Sequence, residues 1–274
     1  MSHRRQLELG GLGLALAVIL IWARDLTWMS APADTLPLLL GLPLAYLLGR
    51  PWQAEHQARQ LRHLIWGTLG AMSFAAGWIL GSLTLLAISW TLLALLWGTV
   101  EFTAQARRAR LAWLLLLSFP WLVTEWQSLG WACRLSSATV AESICGLLQL
   151  PVEREGTRLL ILGVPIEIEA SCAGWNLLQL TLLAGIAAGT REIHKTRHFV
   201  VILCLLPAIV WFANLLRILI LAGIALSFDA QIASGLIHGL VGLMVLGAVL
   251  AITHGLCRLL DPPPNVTSRI IQAA

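Results

Sequence analysis

The chain contains little charge. Only 12% of its 274 residues are Asp, Glu, Lys or Arg, whereas 58% are hydrophobic, and about a quarter of the residues in a soluble domain are charged. The mean hydropathy is +0.81. These values exclude an ordinary soluble domain and predict an integral membrane protein with its transmembrane helices in one bundle.

The sequence also lacks the signatures of several other classes. It has five cysteines but no Cys-x-x-Cys pair, so a metal site has little support and nothing indicates a cofactor. The basic residues lie in short loops between apolar segments, a pattern that sets membrane orientation rather than nucleic-acid binding. The expected surroundings are therefore the lipid bilayer, with no nucleic acid, metal or cofactor.

Apolar segments of roughly membrane-spanning length follow one another along the chain. They are Leu9–Ala23, Leu36–Gly49, Leu61–Leu80, Leu83–Val100, Leu111–Trp126, Ala173–Gly189, Phe199–Leu226 and Gly235–Leu256. They predict an all-α membrane protein with about eight transmembrane helices. We divide it into a four-helix region (1–110), a membrane core (111–260) and a C-terminal tail (261–274). We expect the tail to be disordered, because Asp261-Pro-Pro-Pro264 stops the last helix.

The loop arginines give the chain an orientation. With a cytoplasmic N-terminus, 13 of the 18 basic residues fall on the inside, four fall outside, and Arg217 lies within the seventh segment. Cytoplasmic loops carry an excess of Lys and Arg. This distribution predicts a multi-pass protein of the cell (inner) membrane with both termini in the cytoplasm.

One long loop, from about Gln127 to Ser171, joins the fifth and sixth segments and is extracytoplasmic in this topology. Its first part, Trp131–Leu150, mixes small, polar and apolar residues and predicts an amphipathic helix at the interface. Its second part predicts a β-hairpin, because Thr157–Leu162 and an alternating stretch, Ile166–Glu169, flank the turn signal Gly163-Val-Pro.

Three residues in or beside the last apolar segments could carry chemistry. Cys172, Arg217 and His238 supply a nucleophile, a charge stabiliser and a proton carrier, and an arginine within a membrane helix is costly. Arg217 lies 18 residues after Phe199, roughly 27 Å along a helix. Cys172 precedes the sixth helix and His238 opens the eighth, so all three are predicted at one depth near the extracytoplasmic face.

Neighbouring residues could support these three. The first-turn amides of the sixth helix favour a Cys172 thiolate. Asn214 lies three residues before Arg217 on one helix face and could hold the guanidinium or donate to an oxyanion. Gly174 lets another backbone approach closely. Glu169 belongs to the wet face of the hairpin, or else it orients His238 or pairs with Arg217.

The ordered set of motifs resembles the exosortase/archaeosortase family. Cys172-Ala-Gly opens one membrane helix, Asn214-x-x-Arg217 lies in the next and a lone His238 opens the third. The resemblance covers roughly Phe119 to Gly255, including Phe119-Pro120 and the hairpin glycine. The first four helices contribute nothing to it.

This resemblance implies a multi-pass membrane cysteine protease or transpeptidase. Its substrates would be membrane-anchored proteins with a C-terminal sorting signal, which consists of a short motif, a transmembrane helix and a basic tail. Cys172, Arg217 and His238 match the catalytic positions of the family. Ala173 stands where serine is commoner, which leaves the subfamily and the recognised motif open. Hydrolysis and transfer to an acceptor both stay open, as does the oligomeric state.

Simpler readings exist for each residue. Cys172 could be a packing residue, Arg217 could pair with an acid or extend to the interface, and His238 could be a hydrogen-bonded packing residue. The sequence leaves the role of Glu125, near the end of the fifth segment, open. Cys133 and Cys145 lie outside and could form a disulfide.

Two other classes compete with the enzyme. One is a transporter or channel with an anion-binding Arg217, although we find no repeated halves or broken helices. The other is a scaffold in polysaccharide export, which would have the exopolysaccharide biosynthesis machinery as its partner and would need no nucleophile.

Overall fold

The computed structural model describes residues 3–24, 26, 32–49, 60–97, 105–168, 174–228 and 235–262. Over these residues the protein is mostly helical, and it carries a small three-stranded sheet. The chain forms two compact units, Met1–Gln127 and Ser128–Ala274. The mostly helical class predicted from the sequence is therefore confirmed. Most of the predicted disordered tail, 263–274, lies outside the described residues.

The described residues of the first unit form helices and the turns between them. The helices are α1 (His3–Arg24), α2 (Pro32–Gly49), α3 (Gln60–Leu80), α4 (Leu83–Trp97), α5 (Gln105–Leu117) and α6 (Trp121–Glu125). A tight turn joins α3 and α4: Gly81 adopts a φ of 72°, and the Ser82 N–H donates to the Gly77 carbonyl over 3.0 Å. Glycine suits this left-handed conformation because it has no Cβ.

The core of the first unit gathers around α4. Leu86, Ala87 and Trp90 pack with Val18 of α1 and with Phe119, and the Trp90 indole donates to the Leu14 carbonyl over 3.0 Å. This bond satisfies the polar atom of a large buried ring.

Glu125 has a definite structural role. Its carboxylate accepts hydrogen bonds from the backbone N–H groups of Leu83 and Thr84 and from the Ser82 and Thr84 hydroxyls. These amides open α4 and have no partner within their own helix. Glu125 therefore caps α4, which resolves the ambiguity left by the sequence.

The fifth predicted segment is wrong as a single helix. We expected it over Leu111–Trp126, but α5 ends at Leu117 and α6 begins at Trp121. Pro120 lacks an N–H and restricts the residue before it, which favours a helix break at this point. The Ser118 and Phe119 amides make shorter-range bonds to Leu115 and Leu116 instead.

The second unit combines helices with the sheet. Its elements are α7 (Gln127–Leu147), β1 (Val152–Glu155), β2 (Arg158–Ile161), β3 (Val164–Glu167), α8 (Trp175–Glu192), α9 (Thr196–Ser227) and α10 (Leu236–Leu260). A helix was predicted over Trp131–Leu150, and α7 confirms it. It starts four residues earlier and stops three residues sooner.

The predicted hairpin is present but is part of a larger sheet. β2 and β3 pair antiparallel, with Ile161 opposite Val164, so the turn is Leu162-Gly163 rather than Gly163-Val-Pro. Both turn residues have positive φ, as a two-residue hairpin turn requires. Pro165 lies in β3, where an edge strand tolerates the missing N–H.

Strand β1 was not predicted from the sequence. It pairs antiparallel with β2, with Glu155 opposite Arg158, in the order β1-β2-β3. Its sequence, Val-Glu-Arg-Glu, has a single large apolar residue, so its period-2 signal is weak. The Arg154 Nε of β1 pairs with Glu142 of α7 at 2.5 Å.

The sheet lies on α7 and α9. Leu159, Ile161 and Ile168 point inward and pack with small residues of α7 and with Leu215 and Ile218 of α9. The opposite face of α9 packs with α8 and α10 through a second cluster around Val210, Val245 and Val249. Helix α9 therefore lies between the sheet on one side and the other long helices on the other.

Within the described ranges, α9 and α10 are long and apolar enough to cross a membrane. Large side chains on their surfaces are exposed, including Phe212, Leu216, Leu243 and Met244, which suits a lipid-facing surface. Shorter apolar helices cover 11–24, 39–49, 65–80 and 83–96. The predicted set of eight spans is not confirmed as a whole.

Candidate active site

Helix α9 presents Arg217 and Asn214 one turn apart on the same face. Asn214 is 3% exposed. An arginine in an apolar helix is costly unless its donors find partners. The contacts of the guanidinium therefore define the site.

Arg217 contacts His238 of the next helix. The guanidinium Nη2 lies 2.7 Å from the imidazole Nε2. Arginine has no acceptor, so Nη2 donates and Nε2 accepts, which leaves the imidazole proton on Nδ1. The structure thus brings together two of the three residues singled out from the sequence, and in this arrangement His238 is neutral.

The remaining donors of Arg217 are not all used. Its Nε is buried and has no hydrogen-bond partner among the described residues. Buried polar groups are normally satisfied, and an exception requires an explanation. A guanidinium with one donor engaged by His238 and another donor spare can bind an added negative charge.

Gly174, the N-cap residue of α8, lies against Asn214. Its φ is 78°, and a Cβ at this position would lie 3.3 Å from Asn214 Cγ and 3.4 Å from Nδ2. The close neighbour of Gly174 is therefore a side chain, whereas the sequence analysis expected a backbone segment. Both the conformation and the contact favour glycine here.

Cys172 and Glu169 lie outside the described residues, but the chain on both sides is described. Before them, the Ile168 N–H donates to the Thr157 carbonyl over 3.2 Å, and Arg134 Nη1 donates to the Ile168 carbonyl over 3.5 Å. After them comes Gly174, beside Asn214. The chain on both sides of Cys172 is therefore held in the second unit. On the C-terminal side, Gly174 lies next to Asn214, which precedes Arg217 by one helical turn.

The start of α8 is also fixed by α7. A Cβ on Gly130 would lie 2.2 Å from Trp175 Nε1 and 2.5 Å from its Cδ1, so the indole of the first α8 residue lies directly on the glycine. This contact packs the first residue of α8 against α7. Gly130 was not recognised from the sequence, because nothing in a single amphipathic helix indicates which neighbour will pack on a particular glycine.

Arg134 and Gly242 were missed as well. Arg134 was counted only as one of the four basic residues on the extracytoplasmic side. A Cβ on Gly242 would lie 3.3 Å from Arg217 Nη2. The one available signal was its spacing, since Gly242 follows His238 by four residues and therefore shares its helix face.

The other cysteines are free thiols. Cys133, Cys145, Cys204 and Cys257 make no disulfide. Cys133 and Cys145 lie in the single helix α7, where twelve residues correspond to roughly 18 Å, far beyond the span of a disulfide. No group of three His, Cys, Asp or Glu residues in the described ranges could hold a metal ion.

The opposite end of the helix pair carries a different polar arrangement. Asp261, just after α10, accepts hydrogen bonds from the backbone N–H groups of His194 (2.7 Å) and Lys195 (3.2 Å). These bonds hold the pKa of the Asp261 carboxyl below its usual value, and the nearby His194 and His198 act in the same direction. Beside it, His254 Nδ1 lies 3.3 Å from Glu192 Oε1.

The sequence matches the family model described as Transmembrane exosortase over residues 2–255. The match includes the four N-terminal helices, in which the sequence analysis found no resemblance. It therefore extends the resemblance over Phe119 to Gly255 toward the N-terminus. No curated protein and no solved structure matches the chain significantly.

Proposed function

The chain belongs to the transmembrane exosortase family, and we propose that it is a membrane-embedded cysteine peptidase or transpeptidase that cleaves the C-terminal sorting signal of exported proteins. The observation that carries the proposal is the contact between Arg217 and His238, together with the spare Nε donor of Arg217. A positive charge with a free donor beside a neutral imidazole suits acyl transfer. Cys172 is the proposed nucleophile.

The first half-reaction begins with the thiol proton. His238 Nε2 takes this proton, and the Cys172 sulfur forms a bond to the scissile carbonyl carbon. The single lone pair on Nε2 cannot accept both the proton and the Arg217 N–H. The contact between Arg217 and His238 therefore opens as the imidazolium forms, and the guanidinium becomes available to the developing oxyanion.

Collapse of this tetrahedral species completes the first half-reaction. The carbon–nitrogen bond breaks, the leaving amine takes the proton from His238, and a thioester remains on Cys172. Water, an amine or a hydroxyl then attacks the thioester, and His238 removes the proton of the attacking group. The carbon–sulfur bond breaks, and the proton returns to the thiolate. Asn214 supports the guanidinium or the oxyanion from the same helix face.

The proposed location follows from the loop arginines. With both termini in the cytoplasm, His238 at the start of α10 and Arg217 in α9 lie toward the extracytoplasmic face of the cell membrane. The transmembrane helix of a substrate would then lie in the same bilayer, with its scissile bond at this depth. Residues 111–260 are the proposed catalytic core, and the family match over 2–255 covers all but its last five residues.

The decisive test is processing of a co-expressed tailed substrate by Cys172→Ala, with Cys204→Ala as the matched control. Cys204 is an exposed free cysteine in α9. We expect no cleavage by the first variant and normal cleavage by the second. Normal cleavage by Cys172→Ala would end the proposal and leave the transporter and scaffold readings, neither of which requires a nucleophile.

A further inference from the structure

The guanidinium of Arg217 lies against one glycine of α10. A Cβ built on Gly242 would be 3.3 Å from Arg217 Nη2, 3.4 Å from Cζ and 3.7 Å from Nε. Three atoms of the group are within contact distance of this one position. The guanidinium therefore lies against the α10 surface.

His238 and Gly242 lie one turn apart on the same face of α10. The guanidinium contacts both of them, because Nη2 also lies 2.7 Å from His238 Nε2. Other glycines of this helix differ, since Gly239, Gly247 and Gly255 have nothing within 4 Å of a Cβ. The close approach is a property of Gly242 and not of glycines in α10 generally.

We propose that Gly242 is a positioning residue for the pair formed by Arg217 and His238. Its missing side chain lets the guanidinium lie close enough to α10 for Nη2 to reach His238, while Nε stays buried and available. The consequence for the reaction rate rests on the proposed function. The effect on geometry does not, because the contact exists in the resting protein.

A methyl group at this position shifts the guanidinium by a few tenths of an ångström, because a contact of 3.3 Å is tighter than ordinary packing. Gly242→Ala should lower kcat for a tailed substrate roughly tenfold with little change in KM, since the lost alignment matters in the transition state. Gly242→Val should lower it further. Gly247→Ala makes the same chemical change in the same helix at an open, exposed position and should keep the wild-type rate.

A second readout does not depend on catalysis. Nitrogen-15 spectra of histidine-labelled protein, with His238 assigned through His238→Gln, report which ring nitrogen carries the proton. The wild-type protein and Gly247→Ala should show His238 protonated on Nδ1, with Nε2 accepting from Arg217. Gly242→Ala and Arg217→Lys should both lose this signature while their thermal unfolding stays near that of the wild type.

Each outcome decides the proposal. It is overturned if Gly242→Ala keeps both the wild-type rate and the His238 signature, or if Gly247→Ala loses them equally. It is also overturned if the Gly242 variants lose activity through unfolding while the signature persists in the folded fraction. If the wild-type protein cleaves no tailed substrate, the proposed function fails, and the spectra alone decide whether Gly242 sets the contact.

Discussion

The two ends of the α9–α10 pair use charge differently. Near His238, Arg217 lies between the helices, with one donor engaged and its buried Nε without a partner among the described residues. Near the other end, the Asp261 carboxylate accepts two backbone N–H groups that immediately precede α9. Asp261 thus holds the loop before α9 through complete hydrogen bonds, whereas Arg217 retains one N–H donor without a partner among the described residues.

The two charged groups therefore differ in role: Asp261 stabilises the fold, whereas Arg217 is proposed to take part in the reaction. The amides at a helix N-terminus lack partners within the helix and attract negative charge, so the bonds of Asp261 are complete without any ligand. A buried spare donor is unfavourable in the resting protein, and it gains its partner only when negative charge arrives. The comparison predicts that changes at Arg217 affect the rate, whereas changes at Asp261 affect stability.

The largest effect is expected at Arg217. Arg217→Lys keeps the charge but loses the planar fork that presents Nη2 to His238 and, in the proposed reaction, Nε to an oxyanion. Loss of one oxyanion donor typically lowers kcat by about 10² to 10³, and we expect a loss in that range in substrate processing. Thermal unfolding in detergent should change little.

The matched control is Arg258→Lys, at an exposed position in the last turn of α10. It should process substrate at the wild-type rate. If Arg217→Lys processes substrate at the wild-type rate, the proposed contrast between the two ends is wrong, because Arg217 would then act only in stability, as Asp261 does.

An intermediate effect is expected at Gly130, which fixes the start of α8 through Trp175. A Cβ there would lie 2.2 Å from Trp175 Nε1, so Gly130→Ala forces α7 and α8 apart or displaces the indole. Overpacking costs about 1–3 kcal/mol, partly offset by a helix propensity gain of about 1 kcal/mol. We expect a lower unfolding temperature together with slower processing.

Gly146→Ala provides the control, because a Cβ on this α7 glycine meets nothing within 4 Å. Replacing Trp175 with leucine should remove most of the penalty of Gly130→Ala, since the clashing ring is gone. An unchanged unfolding temperature in Gly130→Ala would show that this contact does not set the position of α8.

Much of the fold follows from local sequence patterns. The Gly81-Ser82 turn, the amphipathic α7 and the hairpin around Gly163 all have signals within a few residues. The break at Pro120 had such a signal too, but the apolar run on both sides hid it. Strand β1 had almost none, because its pairing with β2 depends on contacts across the sheet rather than on its own residues.

The candidate site was partly predictable for a different reason. Arg217 and His238 stand out because polar residues are rare in apolar segments, and orientation from the loop arginines predicted a common depth. Gly130, Arg134 and Gly242 did not stand out. Their roles depend on which side chain of another element lies against them, and a single sequence does not carry that information.

The smallest effect is expected at Asp261, and pH reveals it. The folded pKa of this carboxyl is lowered, first by its bonds to the His194 and Lys195 amides. Its contribution to stability is therefore present above the unfolded pKa, about 3.9, and is lost as the pH falls through the lower folded value. Asp261→Asn should unfold at a slightly lower temperature than the wild type at pH 7.

The difference between the two proteins should begin to shrink as the pH falls below about 4, where the carboxyl of the unfolded wild type takes up a proton, and should disappear below the lowered folded pKa. Substrate processing at pH 7 should stay unchanged, because Asp261 lies near the end of the helix pair opposite His238. Glu155→Gln, an exposed change in β1, should leave the unfolding temperature unaltered at pH 7. If Asp261→Asn slowed substrate processing without lowering the unfolding temperature, Asp261 would also contribute to the reaction. The proposed contrast between Asp261 and Arg217 would then be wrong.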